Sequence, residues 1–328
     1  MAKSTYSKVD EYGFERPPSF NYDVYDTFMS KYIRILTRRS QRWSTLKGDK
    51  YKKTRTLKRF VRKGIPADHR VAAWMSISGA LELKDTSQKS YAQLKKNFTN
   101  QHVLESIKVD LPRTFPDNIY FTNHEYLPSH LYNVLATFGH QNTDVGYCQG
   151  LNYIAGLLLL VTKDEECSYW LLKCLVEKIL PPYYIVTMSG LLTDLDVLNE
   201  LVRVSEPQIF HHVHKIGMPW AMGITKWFVC VYSEVLPTET VLRIWDCLFY
   251  EGSKILFRVA ITLIKLHKQD ILQTKDLGDL ITCFKNMRNH EHVIDCHQFM
   301  EDVFSLSGNI SNSKIEKLRK RFEKKEQS

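Results

Sequence analysis

The chain has 328 residues, with 45 Lys and Arg against 36 Asp and Glu for a formal charge of +9, and 44% of its residues are hydrophobic. This length and apolar share suit one large domain or two packed halves with a substantial core, and they exclude a mainly disordered chain. Glycine and proline are sparse and follow no fixed period, which excludes collagen-like and low-complexity fibres.

The first sixty residues differ in character from the rest of the chain. Pro17 and Pro18 lie among several tyrosines, and we expect residues 1–30 to form an extended arm with partial order at best. The residues Gly64-Ile65-Pro66 disfavour a continuous helix, and Asp68 is placed to start the first helix of the body. We therefore predict three regions: an N-terminal arm and basic lead-in (1–63), a domain core (64–254), and C-terminal helices that complete the fold and end in a basic helix (255–328).

The positive charge lies in the flanks. Residues 31–63 carry a net charge of +13 and residues 314–328 a net charge of +4, whereas residues 64–313 carry −6. We expect a solvated lead-in and a frayed terminal helix, with contact to an anionic membrane as an open alternative. The acidic body and the lack of a nucleic-acid-binding motif predict no nucleic-acid partner.

From residue 64 onward the apolar residues recur at helical intervals, and no stretch alternates apolar and polar residues as a half-buried strand does. Four stretches carry the helical pattern: Leu131, Val134, Leu135 and Phe138; Leu191, Leu195, Leu198 and Val202; Val241, Ile244, Trp245 and Leu248; Ile255, Val259, Thr262, Leu263 and Leu266. Trp227, Val231 and Val235 predict one further helix that runs through residue 235. We therefore predict an all-α fold without internal repeats.

The longest apolar stretch covers only residues 154–161. Roughly 20 apolar residues are needed to span a bilayer, and the N-terminus has no apolar signal core. We expect a soluble cytoplasmic protein, with peripheral membrane contact as an option. The seven cysteines are scattered and odd in number, so we expect buried reduced thiols and not a disulfide framework.

Several enzyme classes lack their sequence patterns here. The chain has no G-x-x-x-x-G-K-[ST] phosphate loop, no G-x-S-x-G elbow, no kinase set and no H-E-x-x-H pattern. Two patches contain residue types that bind metals: His211, His212 and His214; and Cys283, His290, His292, Cys296 and His297. The first does not aim its side chains at one point on a helix, and the second lacks paired C-x-x-C spacing. We predict packed or exposed side chains and no metal.

Three short polar segments remain. They are Arg70-x-x-x-Trp74 on the first body helix; Asp110-Leu-Pro-Arg113, followed by Pro116; and Gly146-Tyr147-Cys148-Gln149-Gly150. The prolines should end the preceding helix and hold Arg113 on a stiff connection. Each segment also has an ordinary structural interpretation: Arg70 caps a helix or pairs with Asp110, Tyr147 packs, and Gln149 is a satisfied core amide.

Taken together, the three segments resemble the R-x-x-x-W, I-x-x-D-x-x-R and Y-x-Q signatures of the TBC-domain family, which supplies GTPase-activating proteins for Rab GTPases. The resemblance extends over further segments: Gly64-Ile65-Pro66, Arg113-Thr-Phe-Pro116, Val145 to Asn152, Trp227-Phe228, Arg243-Ile-Trp-Asp246 and Glu251-Gly252. It implies the TBC-domain fold of two closely packed helical halves, a TBC core over residues 64–254, and a role in vesicle trafficking.

The resemblance also implies the chemistry. The substrate is GTP already bound to a Rab, so the partner carries the nucleotide and Mg²⁺ and this chain needs no cofactor or hydrolase site of its own. Arg113 matches the family's arginine finger, which offsets charge on the transferred phosphoryl group. Gln149 matches the glutamine finger, which orients the attacking water. Arg70, Asp110, Tyr147 and Trp74 match the supporting residues.

Two alternatives stay open. One is an adaptor that binds a Rab without accelerating hydrolysis, and the other is a membrane-peripheral tether that works through residues 31–63. The first would bind Rab with unchanged hydrolysis, and the second would bind anionic vesicles in a salt-sensitive way.

Overall fold

The computed structural model describes residues 7–18, 20–46, 50–96, 98–122 and 126–326, and the regular elements within these ranges are helices, with no strand among them. The prediction of an all-α fold is confirmed. The chain divides into two compact units, residues 1–174 and residues 175–328. None of the helices in the described ranges combines the length and the apolar content needed to span a bilayer.

The first unit is built from ten of these helices. They are α1 (Tyr22–Ser44), α2 (Arg55–Lys63), α3 (Ala67–Ser78), α4 (Ala80–Asp85), α5 (Tyr91–Leu94), α6 (Gln101–Asp110), α7 (Ile119–Thr122), α8 (Tyr126–Gln141), α9 (Leu151–Thr162) and α10 (Glu165–Cys174). α8, α9 and α10 pack against one another. α9 buries side chains on every side, from Leu151 to Leu160, which explains the long apolar stretch as a core helix.

The basic lead-in folds because its aromatic rings point inward while most of its bases stay exposed. Trp43 of α1 is buried, and its indole Nε1 donates a hydrogen bond to the carbonyl of Gly64 at 3.1 Å. Its ring also contacts the rings of Tyr51 and Phe60. The structure therefore differs from the expected solvated lead-in: α1 and α2 belong to the first compact unit.

The expected extended arm instead contains a tight reversal. Residues 8–16, called the N-terminal turn below, are closed by an isolated bridge between Val9 and Glu15. The carboxylate of Asp10 accepts the backbone N–H groups of Tyr12 and Phe14, each at 2.9 Å, and this side-chain cap stabilises the reversal. Residues 1–6 and residue 19 of the predicted arm lie outside the described residues.

The second unit contains the remaining ten α-helices of the described chain. They are α11 (Ser189–Ser205), α12 (Pro207–Ile216), α13 (Trp220–Val229), α14 (Thr238–Glu251), α15 (Lys254–Leu266), α16 (Lys268–Gln273), α17 (Leu277–Asn286), α18 (Glu291–Ile294), α19 (Cys296–Ser305) and α20 (Asn312–Glu326). The predicted apolar faces of α11, α14 and α15 are buried.

One predicted helix ends early. The spacing of Trp227, Val231 and Val235 predicts a helix through residue 235, but α13 ends at Val229. Val231 and Tyr232 adopt φ values of 48° and 65°, so the chain leaves the helix there. The carbonyl of Val231 accepts the indole N–H of Trp245 at 2.9 Å, and tertiary packing thus overrides the local pattern.

The basic C-terminal helix is anchored by a buried ion pair. Arg319 of α20 donates two hydrogen bonds to the carboxylate of Asp194 in α11, at 2.7 and 2.8 Å, and a third to the hydroxyl of Ser253. The hydroxyl of Tyr183 donates to the same carboxylate at 2.5 Å. α20 is therefore held against α11 by a specific contact, which the expectation of a frayed terminal helix did not include.

The two units do not coincide with the predicted regions. The first unit includes the lead-in before residue 64, and the second begins at residue 175, inside the predicted core of 64–254. The predicted end at residue 254 falls on the first residue of α15, a helix of the second unit that packs against α14.

Candidate functional site

Arg113 lies in a single 3₁₀ turn, Leu111–Arg113, that directly follows α6. Pro112 has no N–H to continue the helical hydrogen bonds, so the α-helix ends as the sequence predicts. The hydroxyl of Thr114 then donates to the carbonyl of Asp110 at 2.7 Å and closes the turn. Residues 110–114, called the Arg113 segment below, thus form a stiff connection, and the Arg113 side chain is 50% exposed.

The carboxylate of Asp110 is the centre of the site. It is almost completely buried, forms an ion pair with the guanidinium of Arg113, and accepts the hydroxyl of Tyr147 at 2.5 Å. Burial, followed by the neighbouring carboxylate, raises the pKa of Tyr147 far above its usual range. The Tyr147 hydroxyl therefore keeps its proton and remains a donor at physiological pH.

Gln149 lies in the loop of residues 146–150, called the Gln149 loop below, and its side chain is exposed. Gly146 and Gly150 bound this loop with φ values of 58° and 112°, which glycine adopts without strain. The predicted interpretation of Gln149 as a satisfied core amide is thus wrong. Arg113 and Gln149 are both exposed on segments that Tyr147 and Asp110 join.

A second, buried bridge joins the two segments. Asn152, in the first turn of α9, donates from its side-chain Nδ2 to the hydroxyl of Thr114 at 2.8 Å. Its Oδ1 accepts the backbone N–H of Gly150 at 3.0 Å. Asn152 and Thr114 are both buried, so each hydrogen bond is protected from water. The Arg113 segment and the Gln149 loop are held together at both ends.

Close backbone approach also fixes the Gln149 loop. A Cβ atom on Gly139 of α8 would lie 2.7 Å from the carbonyl oxygen of Gly146 and 2.9 Å from Cγ1 of Val103. Only glycine leaves room for the loop to rest directly on α8 at this point. The sequence pattern predicts α8 and its apolar face but gives no sign that Gly139 supports the neighbouring loop.

The two remaining signature residues are buried in α3. Arg70 is 3% exposed, and its guanidinium donates to the hydroxyl of Tyr12 in the N-terminal turn at 3.2 Å. Trp74 is fully buried and serves as a core residue of the first unit. The contact between Arg70 and Tyr12 was not predicted, because the sequence does not show that the arm folds back.

The two histidine patches occupy the second unit. His211 contacts the carbonyl of Pro207, while His292 and His297 pair with Asp302 and Glu301. Cys283 and His290 border an open depression of about 560 Å³ together with His267 and Asp270. Within the part of the chain that the structure describes, no group of three or more His, Cys, Asp or Glu is placed to hold a metal ion.

Comparison with known proteins gives one consistent family. Residues 67–272 match the model of the Rab-GTPase-TBC domain. The chain is 48% identical to growth hormone-regulated TBC protein 1-A of Danio rerio, over 97% of this chain and 90% of that protein. It is 47% identical to growth hormone-regulated TBC protein 1 of Homo sapiens, over 97% and 95%. A crystal structure of the Chlamydomonas flagellar RabGAP TBC domain, 30% identical, superposes with a TM-score of 0.78 over 90% of this chain and 99% of that one.

Replacement of Gly139 tests how tightly the Gln149 loop is held. We expect Gly139→Ala to lower the free energy of unfolding by about 1–3 kcal/mol, because the new Cβ atom overlaps a backbone carbonyl that cannot move without the loop. Urea denaturation measures this change. Hydrogen exchange should also become faster at the amides of residues 146–150.

Gly278→Ala in α17 is the matched control. Its Cβ atom would meet only the side-chain Oδ1 of Asp276, at 3.3 Å. We expect a change within about 1 kcal/mol in either direction. Equal stability of Gly139→Ala and the wild type would contradict the tight support of the loop by α8.

Proposed function

The chain belongs to the Rab-GTPase-TBC domain family, and from this membership we propose that it accelerates GTP hydrolysis by a GTP-bound Rab GTPase through Arg113 and Gln149. One observation supports this assignment most strongly. The two exposed side chains lie on segments joined by the Tyr147–Asp110 and Asn152–Thr114 hydrogen bonds. The guanidinium and the carboxamide are thus carried by two segments that are bound to each other.

Phosphoryl transfer suits such an arrangement. The reaction depends on positioning and on stabilising charge at the transferred group, with little covalent chemistry for the protein to perform. The guanidinium of Arg113 is planar, stays charged at any physiological pH, and can bridge two phosphate oxygens. A trans arginine contributes about 10³- to 10⁵-fold in rate in related reactions.

Asp110 holds Arg113 ready for this role. Its buried carboxylate binds one side of the guanidinium, while half of the Arg113 side chain stays exposed. A guanidinium has five N–H donors, so donors remain for a phosphate after the ion pair has formed. Fixing the side chain in advance reduces the entropy lost when it enters the partner's site.

Gln149 supplies a neutral group with both a donor and an acceptor. Such a carboxamide can accept a hydrogen bond from the attacking water and donate another to the phosphate. We assign to it the orientation of that water. The partner carries GTP and Mg²⁺ in this proposal, and the chain acts as an activator without a cofactor of its own.

Contact with an anionic membrane is a second candidate function, and one observation favours it. Lys31, Arg34, Arg38 and Arg42 of α1 are exposed, and they recur at intervals of three and four residues. This spacing puts all four on one helical face. Residues 31–46 contain no acidic residue, so the face is uniformly basic.

Single-turnover GTP hydrolysis by a panel of Rab GTPases tests the main proposal. We expect the wild type to accelerate at least one Rab. Arg113→Ala should lower that acceleration about 10³-fold or more, because the charge at the phosphoryl group is no longer offset. Gln149→Ala should lower it by about 10²-fold, because the water is no longer oriented.

Arg203→Ala is the matched control. Arg203 is also about half exposed, at 51%, and pairs with a carboxylate three residues away, Glu200, but it lies in the second unit. We expect wild-type acceleration from it. Strong acceleration by both Arg113→Ala and Gln149→Ala would show that these residues are not the fingers. Rab binding with unchanged hydrolysis by the wild type would favour an adaptor.

Vesicle sedimentation tests the basic face. We expect binding to phosphatidylserine-containing vesicles that weakens with ionic strength, and none to neutral vesicles. Each base near such a surface contributes about 1 kcal/mol, so replacing Arg34, Arg38 and Arg42 by Gln should weaken binding about 100-fold.

Replacing Arg203, Lys226 and Arg321 by Gln removes three exposed bases of the second unit and controls for total charge. This control should bind the vesicles nearly as well as the wild type. Equal losses in the two triple variants would mean that total charge, and not the face of α1, governs binding.

A further inference from the structure

The N-terminal turn is bound to the chain immediately beyond the Arg113 segment. We propose that the turn is an integral part of the activating site, where it positions the Arg113 segment; this inference rests on the function proposed above. The turn lies outside residues 67–272, the range that matches the family model.

Backbone hydrogen bonds fasten the turn to residues 117–119. The N–H of Glu15 donates to the carbonyl of Asp117 at 2.8 Å, and the N–H of Ile119 donates to the carbonyl of Gly13 at 2.9 Å. Asn118 lies between them, is fully buried, and donates from Nδ2 to the carbonyl of Tyr12 at 3.0 Å. The turn thus fixes residues 117–119, which begin three residues after the end of the Arg113 segment.

Gly13 makes this fit specific. It adopts a φ of 91°, and a Cβ atom there would lie 2.4 Å from Cδ2 of Tyr120. Both the backbone conformation and the space therefore require glycine. A larger residue at this position would force the turn away from residues 117–120.

Phe14 connects the turn to Phe115, the residue that directly follows the Arg113 segment. The two rings meet edge to face, with centroids 5.2 Å apart. Phe115 has a φ of 51°, an unfavourable conformation for a bulky residue that persists only where its surroundings enforce it. Phe121 and Tyr153 contact the same ring from other directions. Phe14 therefore helps to hold the backbone where the chain leaves Arg113.

Tyr12 gives the turn a polar link to the signature residues. Its hydroxyl accepts the hydrogen bond from the buried guanidinium of Arg70 in α3. Asp110 thus holds Arg113 from the N-terminal side, Phe115 fixes the backbone on the C-terminal side, and the N-terminal turn supports Phe115. Tyr12, Gly13 and Phe14 act here as positioning residues.

The test compares full-length variants, each at catalytic concentration, in the hydrolysis of GTP at varied, excess concentrations of Rab carrying GTP. Gly13→Val should lower kcat about 10- to 100-fold with little change in KM, because the finger shifts while the docking surface stays. Phe14→Ala should change kcat in the same direction. It removes one ring without changing the backbone, so it guards against a folding failure in Gly13→Val.

Two controls separate positioning from general stability. Val24→Ala alters an exposed residue of the neighbouring helix and should keep the wild-type kcat. Arg258→Ala removes hydrogen bonds to Ser307 and Ile310 in the second unit and should lower the melting temperature without lowering kcat. If Arg258→Ala loses as much kcat as Gly13→Val at an equal loss of melting temperature, the inference is overturned.

A double-mutant cycle gives the most specific readout. If the turn acts through Arg113, Gly13→Val should cause little further loss in the Arg113→Ala background. If Gly13→Val lowers kcat by the same factor in the Arg113→Ala background as in the wild type, the inference is overturned. Wild-type kcat in both Gly13→Val and Phe14→Ala would also overturn it. Failure of the proposed function can be told apart from failure of this inference, because in the first case the wild type would accelerate no Rab at all.

Discussion

The site depends on the two interactions of the Asp110 carboxylate. This carboxylate is buried, and it binds both the guanidinium of Arg113 and the hydroxyl of Tyr147. One group therefore connects the Arg113 segment to the Gln149 loop. A buried carboxylate without such partners would be costly, and these two satisfy it. The exposed ends of Arg113 and the Gln149 loop are thereby held in one relative position before any partner binds.

The rest of the first unit can be understood as support for this arrangement. Asn152 repeats the link between the two loops in the buried interior, Gly139 lets one loop rest on α8, and the N-terminal turn holds the chain beyond Arg113. Each support is local and small. Together they restrict the Arg113 segment and the Gln149 loop, and such restriction suits the proposed reaction, which depends on positioning.

The sequence predicts the helices and the signature residues, and it fails where distant segments meet. Pro112 and the apolar spacing show where α6 ends and where α8 is buried, because these effects are local. The fold of the lead-in, the docking of Tyr12 on Arg70 and the end of α13 at Val229 depend on contacts across the chain. The role of Asn152 could be found in part from the sequence, because a polar residue in the first turn of an apolar helix needs a buried hydrogen-bond partner.

We propose that the Tyr147 hydroxyl couples the Gln149 loop to the Arg113 segment through the carboxylate of Asp110. The most direct measurement is kcat for Rab-bound GTP with Tyr147→Phe, which removes that hydroxyl and keeps the ring. We expect kcat to fall at least about tenfold with KM nearly unchanged, because the Gln149 loop loses its hydrogen bond to the carboxylate that holds Arg113 and keeps only the link through Asn152. A variant that keeps the wild-type kcat would contradict the account.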